Sequence, residues 1–153
     1  MSIFVDTSAM YALLVSTEEE HVEVTSLFRE LAESDRRMVT TNYVDLEATA
    51  LLQHRFGIEA VRDFETRVLP LMDVVWIDQV LRQRALKRLF RSDRRQLSLV
   101  DCASFVVMDM EGIGEALSLD SDFEREGYRL LPSPLPSPSG RSISSRANEE
   151  HTK

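Results

Sequence analysis

Short apolar runs that stop at a polar residue alternate with stretches of helical period along most of this chain. That alternation constrains the fold more than any other feature. Ile3-Phe4-Val5 stops at Asp6, and Met38 to Thr41, Val74 to Ile77, Ala116 to Leu119 and Tyr128 to Leu131 are further runs of strand length. Helix patterns fill the gaps. Ser8 to Ser16 reads as a helix, and Thr17-x-x-Glu20 reads as a capping box ahead of Val24, Leu27, Phe28 and Leu31. Asn42 is placed to cap a helix running to Phe56, with Gly57 just past its end. A further helix reaches Leu69 and is stopped by Pro70, and a basic helix runs from about Gln79 to Arg91. Ser98-x-x-Asp101 opens another, which ends near Gly112 and Gly114. Strands alternating with helices demand right-handed crossovers. The sequence therefore predicts an α/β fold with a mostly parallel central sheet of four to five strands flanked by helices. In such sheets ligands gather beyond the carboxyl ends of the strands.

Four of the five prolines fall between Pro132 and Pro138, and the segment from Pro132 to Lys153 has almost no apolar side chains. It cannot bury enough surface to offset the ordering of its backbone, so 132–153 reads as a disordered Pro/Ser-rich tail and 1–131 as one domain. A composition of 43% hydrophobic and 29% charged residues suits a soluble body and excludes a fibrous repeat. Cys102 is the single cysteine, which excludes an internal disulfide and a cysteine-rich zinc site and points to a reducing cytoplasm. No apolar run approaches the ~20 residues of a membrane helix. The N-terminal stretch has no basic n-region, so no signal peptide is expected.

The formal net charge of −8 argues against nucleic-acid binding through global charge. The charges are unevenly placed, however: Arg82, Arg84, Lys87, Arg88, Arg91, Arg94 and Arg95 face a single acid, Asp93, in one stretch. Such a stripe is either a solvated helix face or a seat for a polyanion beside an acidic metal site.

Two strands run straight into an aspartate, Asp6 and Asp120, and in a parallel sheet both carboxylates lie on one edge. An aspartate after a strand can equally cap the next helix or make a turn. Glu47 has Tyr43, Val44, Ala50 and Leu51 as its helical neighbours, which predicts an inward-leaning carboxylate, costly unless it is paired or bound to a metal. Asp45 points about 200° away from it and reads as an N-terminal cap. Asp101 lies in the first turn of its helix, where Ser98-x-x-Asp101 is also close to a capping box.

These residues carry a resemblance. Phe4-Val5-Asp6-Thr7-Ser8, Thr40 to Glu47, Leu97 to Ser104, and Leu119-Asp120-Ser121-Asp122-Phe123 with Gly127-Tyr128 occur in the order and spacing of the PIN domain. The pattern is similar to the VapC-like toxin ribonucleases of bacterial toxin–antitoxin pairs and spans residues 2–131. The resemblance implies a PIN-like fold and places the family's acids on Asp6, Glu47, Asp101 and Asp120, with its small hydroxyl residue on Ser8. Asp122 is a further candidate ligand, because Asp-x-Asp offers two, and Asp45 competes with Glu47 until the helix-face argument favours Glu47. The resemblance also implies an RNA substrate, a cognate antitoxin protein and a homodimer.

The chemistry agrees with the residue types. Carboxylates ligate hard cations through oxygen, and several converging without soft ligands suit Mg²⁺ or Mn²⁺ rather than zinc. A bound ion of that kind activates water and stabilises charge on phosphodiester oxygens, which suits the metal-dependent endoribonuclease that the resemblance implies. No Ser–His–Asp set is evident among His21, His54 and His151. A dehalogenase-type phosphatase would need Asp-x-Asp after the first strand, where Asp6-Thr7-Ser8 stands. A receiver domain would need a late lysine, and the only lysine of the body is Lys87. The alternative of another class is a non-catalytic PIN-like module that binds RNA or protein.

Overall fold

The computed structural model describes residues 1–133. Its strands are β1 (Ser2–Val5), β2 (Arg37–Thr41), β3 (Asp73–Val75), β4 (Glu115–Leu117) and β5 (Arg129–Leu131). They form one sheet in the order β3-β2-β1-β4-β5, and every neighbouring pair is parallel. The helices are α1 (Thr7–Leu14), α2 (His21–Glu33), α3 (Asn42–Phe56), α4 (Ile58–Asp63), α5 (Gln79–Ser92), α6 (Leu99–Glu111) and α7 (Ser121–Arg125). The α/β architecture expected from the alternation is therefore the observed one. The chain lays β1, β2 and β3 outward in one direction, then crosses back to add β4 and β5 on the other side of β1. The strand order reverses between β1 and β4, and the crevice beyond their carboxyl ends is where an open parallel sheet holds its ligand.

Burial explains why the central strands are so apolar. Ile3, Phe4, Val5, Val39, Ala116 and Leu117 are all fully buried, because helices cover both faces of a parallel sheet. The edge strand β3 is short and exposed, which suits its single neighbour. An aromatic cluster fixes the β4–α7–β5 end. Phe105 meets Phe123 edge-on at 4.9 Å and stacks on Tyr128 at 5.5 Å. The Tyr128 hydroxyl donates to Asp109 at 2.6 Å. Phe123 is wholly buried, so α7, only one turn and a half long, is anchored by it rather than by its own helical propensity.

Several local expectations are corrected. Thr17 caps nothing: α2 begins at His21 without a side-chain cap, and the imidazole Nδ1 of His21 pairs instead with the Ala12 carbonyl at 2.7 Å. The cap of α3 is Thr41, whose Oγ1 accepts from the Val44 N–H. Asn42 is the first helical residue, and its side-chain carbonyl accepts from the Ile77 N–H at 2.6 Å, tying α3 to the end of β3. The helix expected to run to Leu69 is α4, a π-helical turn (Phe64–Val68) and a 3₁₀ turn (Leu69–Leu71) carrying Pro70. β3 ends at Val75, leaving Trp76 71% exposed, and β4 ends at Leu117 rather than Leu119. Apart from Pro132 and Ser133, the expected tail lies outside the described residues.

Candidate functional site

The reversal of strand order brings Asp6, Asp101, Asp120 and Asp122 to one edge of the sheet. Asp6 follows β1, Asp120 follows β4, and Asp101 stands in the first turn of α6. Carboxylate oxygens of Asp101, Asp120 and Asp122 all lie within 4.8 Å of one another.

Asp6 sits at the position that precedes α1, yet its side chain caps nothing. Its Oδ2 instead accepts from the Ser8 hydroxyl at 3.0 Å and from the Ser118 hydroxyl at 3.0 Å. The residue is buried, and burial, reinforced by the Asp101 charge, pushes its carboxyl up to about 6 against the pull of both serine hydroxyls. Such a carboxylate is costly in the charged form and gains from a cation.

Asp101 makes a reciprocal capping box. Its N–H donates to Ser98 Oγ at 3.0 Å, and its Oδ2 accepts from the Ser98 N–H at 3.1 Å. Capping commits only one of its two oxygens. Burial raises the Asp101 carboxyl above its ordinary value, the two Ser98 hydrogen bonds oppose this, and the charges of Asp120 and Glu47 raise it further. Asp120 follows the same plan: its Oδ1 caps α7 by accepting from the Asp122 N–H at 2.9 Å, and its own N–H donates to Ser118 Oγ at 3.0 Å.

Glu47 is near enough for Asp101 to feel its charge, but it is exposed. The inward lean expected from its neighbours is thus corrected. The buried ridge of α3 is Val44, Ala48 and Leu52, one residue round from Glu47, and Ala50 faces solvent. Asp45 is no cap either. It accepts from Thr49 Oγ1 at 3.2 Å, and the same hydroxyl bonds Glu65 at 2.7 Å. Burial, then the hydrogen bond and charge of Glu65, push Asp45 up to about 6. Asp122 is buried and ion-paired to Arg94 through Oδ1, with Arg125 at 3.6 Å from the same oxygen.

Two residues were missed by sequence reasoning. Ser118 bridges Asp6 and the Asp120 backbone, and Ser8 Oγ lies 3.3 Å from it while accepting from the Leu119 N–H at 2.9 Å. The available signal was a small hydroxyl two residues before an aspartate inside an apolar run. Arg94, read only as part of a basic stripe, reaches both Asp122 and Glu126.

The donor set is all carboxylate, and the buried Asp6 is held against its own charge. Both fit a hard divalent cation. Asp101, Asp120 and Asp122 bring oxygens close enough to share one such ion, and the buried Asp6 lies within reach of the Asp101 charge.

Comparison with known proteins agrees with this fold. The PIN domain family model matches residues 3–127. The 23S rRNA-specific endonuclease VapC20 of Mycobacterium tuberculosis is 34% identical over 129 residues, covering 82% of this chain and 95% of that protein. Its crystal structure, described as that of a sarcin–ricin loop cleaving toxin, superposes with a TM-score of 0.74 at 33% identity over 82% of this chain and 95% of that one. FitAcB from Neisseria gonorrhoeae shares the fold, with a TM-score of 0.60 at 13% identity over 85% of this chain and 96% of that one. The sequence motifs, the parallel sheet with its acidic edge and the match along almost the whole folded body make this chain a VapC-like member of the PIN-domain family.

Proposed function

We propose that this protein is a metal-dependent endoribonuclease that hydrolyses RNA phosphodiester bonds as the toxin of a toxin–antitoxin pair. The observation that carries the reading is the convergence of Asp101, Asp120 and Asp122 beside a buried Asp6, at the point where strand order reverses. Mg²⁺ or Mn²⁺ is the cofactor that this oxygen donor set suits. When bound, such an ion supplies Lewis acidity toward a phosphate oxygen and a water of lowered pKa.

The chain's own residues do the rest. Ser8 and Ser118 fix Asp6 in one rotamer. The Ser98 capping box and the α7 cap fix Asp101 and Asp120, each leaving one oxygen for the ion. Glu47, exposed at the mouth, is the carboxylate with room to accept the proton of the attacking water. Asp122 is held by Arg94 and so orients its neighbours more readily than it ligates.

VapC20 acts on 23S rRNA by its name, so ribosomal RNA is the first substrate to test. A cognate antitoxin partner, a homodimer and a cytoplasmic setting belong to the same reading. The exposed apolar side chains of Leu46, Trp76 and Val80 support an interface, and no helix among the described residues is long and apolar enough to cross a membrane.

The test is cleavage of purified ribosomal RNA by purified protein with Mn²⁺ or with EDTA. Cleavage that needs the ion and is lost in Asp6→Asn is expected. RNA or antitoxin binding without any cleavage would instead establish the non-catalytic module.

A further inference from the structure

α5 carries more positive charge than its surroundings answer. Arg88 pairs with Asp109 at 2.8 Å and Glu126 at 3.1 Å, and Arg94 pairs with Asp122 and Glu126. Arg84, Lys87 and Arg91 are exposed and have no ion pair among the described residues. All five cations line one cavity of about 570 Å³, in which the only acid is the already paired Glu126. In a protein of net charge −8, three unanswered cations in one concavity make a local field opposite to that of the whole molecule.

The cavity is linked to the acidic site by one side chain. Arg94 lines it and at the same time binds Asp122, whose carboxylate belongs to the acidic group. Arg84 and Arg91 are two turns apart, a span of about 10 Å along the helix, with Lys87 between them. Phe90 lies on the neighbouring face, three residues on from Lys87, and is 76% exposed. Cations in a groove beside an unpartnered aromatic ring are the means by which proteins hold single-stranded nucleic acid.

Building on the ribonuclease reading, we infer that Arg84, Lys87 and Arg91 seat the phosphate backbone of the single-stranded RNA that enters the acidic site, with Phe90 stacking on one of its bases. Arg94 is the joint between seat and site. An acidic protein segment would satisfy the three charges but would make no use of the ring or of the link through Arg94 to Asp122.

The test is binding of a fluorescein-labelled single-stranded RNA by the full chain in EDTA, measured by anisotropy across a salt series. EDTA separates binding from cleavage, so failure of the seat and failure of the nuclease reading give different results. Each phosphate contact on a single strand contributes about 0.7 to the slope of log affinity against log salt. The variant R84Q/K87Q/R91Q is expected to lower that slope by about two, while R84K/R91K, which keeps the charges, retains it. F90A is expected to weaken binding about tenfold with the slope unchanged. A triple variant with the wild-type slope overturns the proposal. So does one that binds RNA normally but loses an acidic protein partner.

Discussion

Asp6→Asn tests the electrostatics of the site without any substrate. The carboxyl of Asp6 has an ordinary value of 3.8 and is pushed up to about 6 by burial and by Asp101. At 1.36 kcal/mol per pH unit, the charged form is penalised by about 3 kcal/mol in the folded protein at neutral pH. The sign follows from linkage. A carboxyl whose folded value is raised favours the folded state below about pH 4, and that contribution is lost as pH climbs through 6. Asparagine carries no charge, and its carbonyl can still accept from Ser8 and Ser118. The variant should therefore be more stable than wild type above pH 6, by up to about 3 kcal/mol, or about 10 °C in Tm for a domain of this size. The gap should close by pH 4. Thermal melts in EDTA across that range measure it. Millimolar Mn²⁺ should raise the wild-type Tm and move the variant much less, because a ligand stabilises only the state that binds it. If Asp6→Asn is less stable than wild type at pH 7.5 and keeps the full Mn²⁺ shift, Asp6 is a structural residue and the site is wrongly assigned.

Ser118→Ala removes one of two hydroxyl donors to Asp6 and the acceptor of the Asp120 N–H. It should cost about 1–2 kcal/mol in melts and lower kcat, with Ser118→Thr restoring most of both. Asp45 is also raised to about 6, by burial and then by Glu65, so Asp45→Asn should flatten the loss of stability between pH 4 and 7 without changing the Mn²⁺ response. Its test is the same set of melts, and a Mn²⁺ shift that vanishes would return Asp45 to the list of ligands. A chain ending at Ser133 should keep metal-dependent cleavage, because the sequence beyond it is too polar to complete a core; a folded truncation that no longer cleaves would show the opposite.

The acidic edge was legible where it depends on position along the chain. An aspartate after a strand lands on the carboxyl edge of any parallel sheet, which is where Asp6 and Asp120 stand. Asp101 was legible because a capping box marks the start of a helix, and α6 starts at that edge. What escaped depends on rotation and on distant partners. Glu47 was placed inward by four apolar neighbours, but the buried ridge of α3 passes through Ala48, about 100° round. The π-helical turn at Phe64 adds a residue that no hydrophobic period announces. α7 is too short to show a period at all. The pairing of Arg94 with Asp122, 28 residues apart in sequence, exists only once α7 is docked through Phe123.

The acids that build this edge share one design. Asp101 and Asp120 each commit one oxygen to a backbone N–H at a helix start, and Asp6 commits one to two hydroxyls. The committed oxygen fixes the rotamer, so a cation would meet the remaining oxygens without further ordering. Convergence carries an electrostatic cost, visible in the raised carboxyls of Asp6 and Asp101. The caps and serine hydroxyls oppose that cost but do not cancel it. A substitution that relaxes the site should therefore stabilise the empty protein and weaken its chemistry together, the usual opposition between stability and a strained functional site. Ser118 is the point where the two demands meet, because one hydroxyl both holds the costly carboxylate of Asp6 and sets the backbone of Asp120.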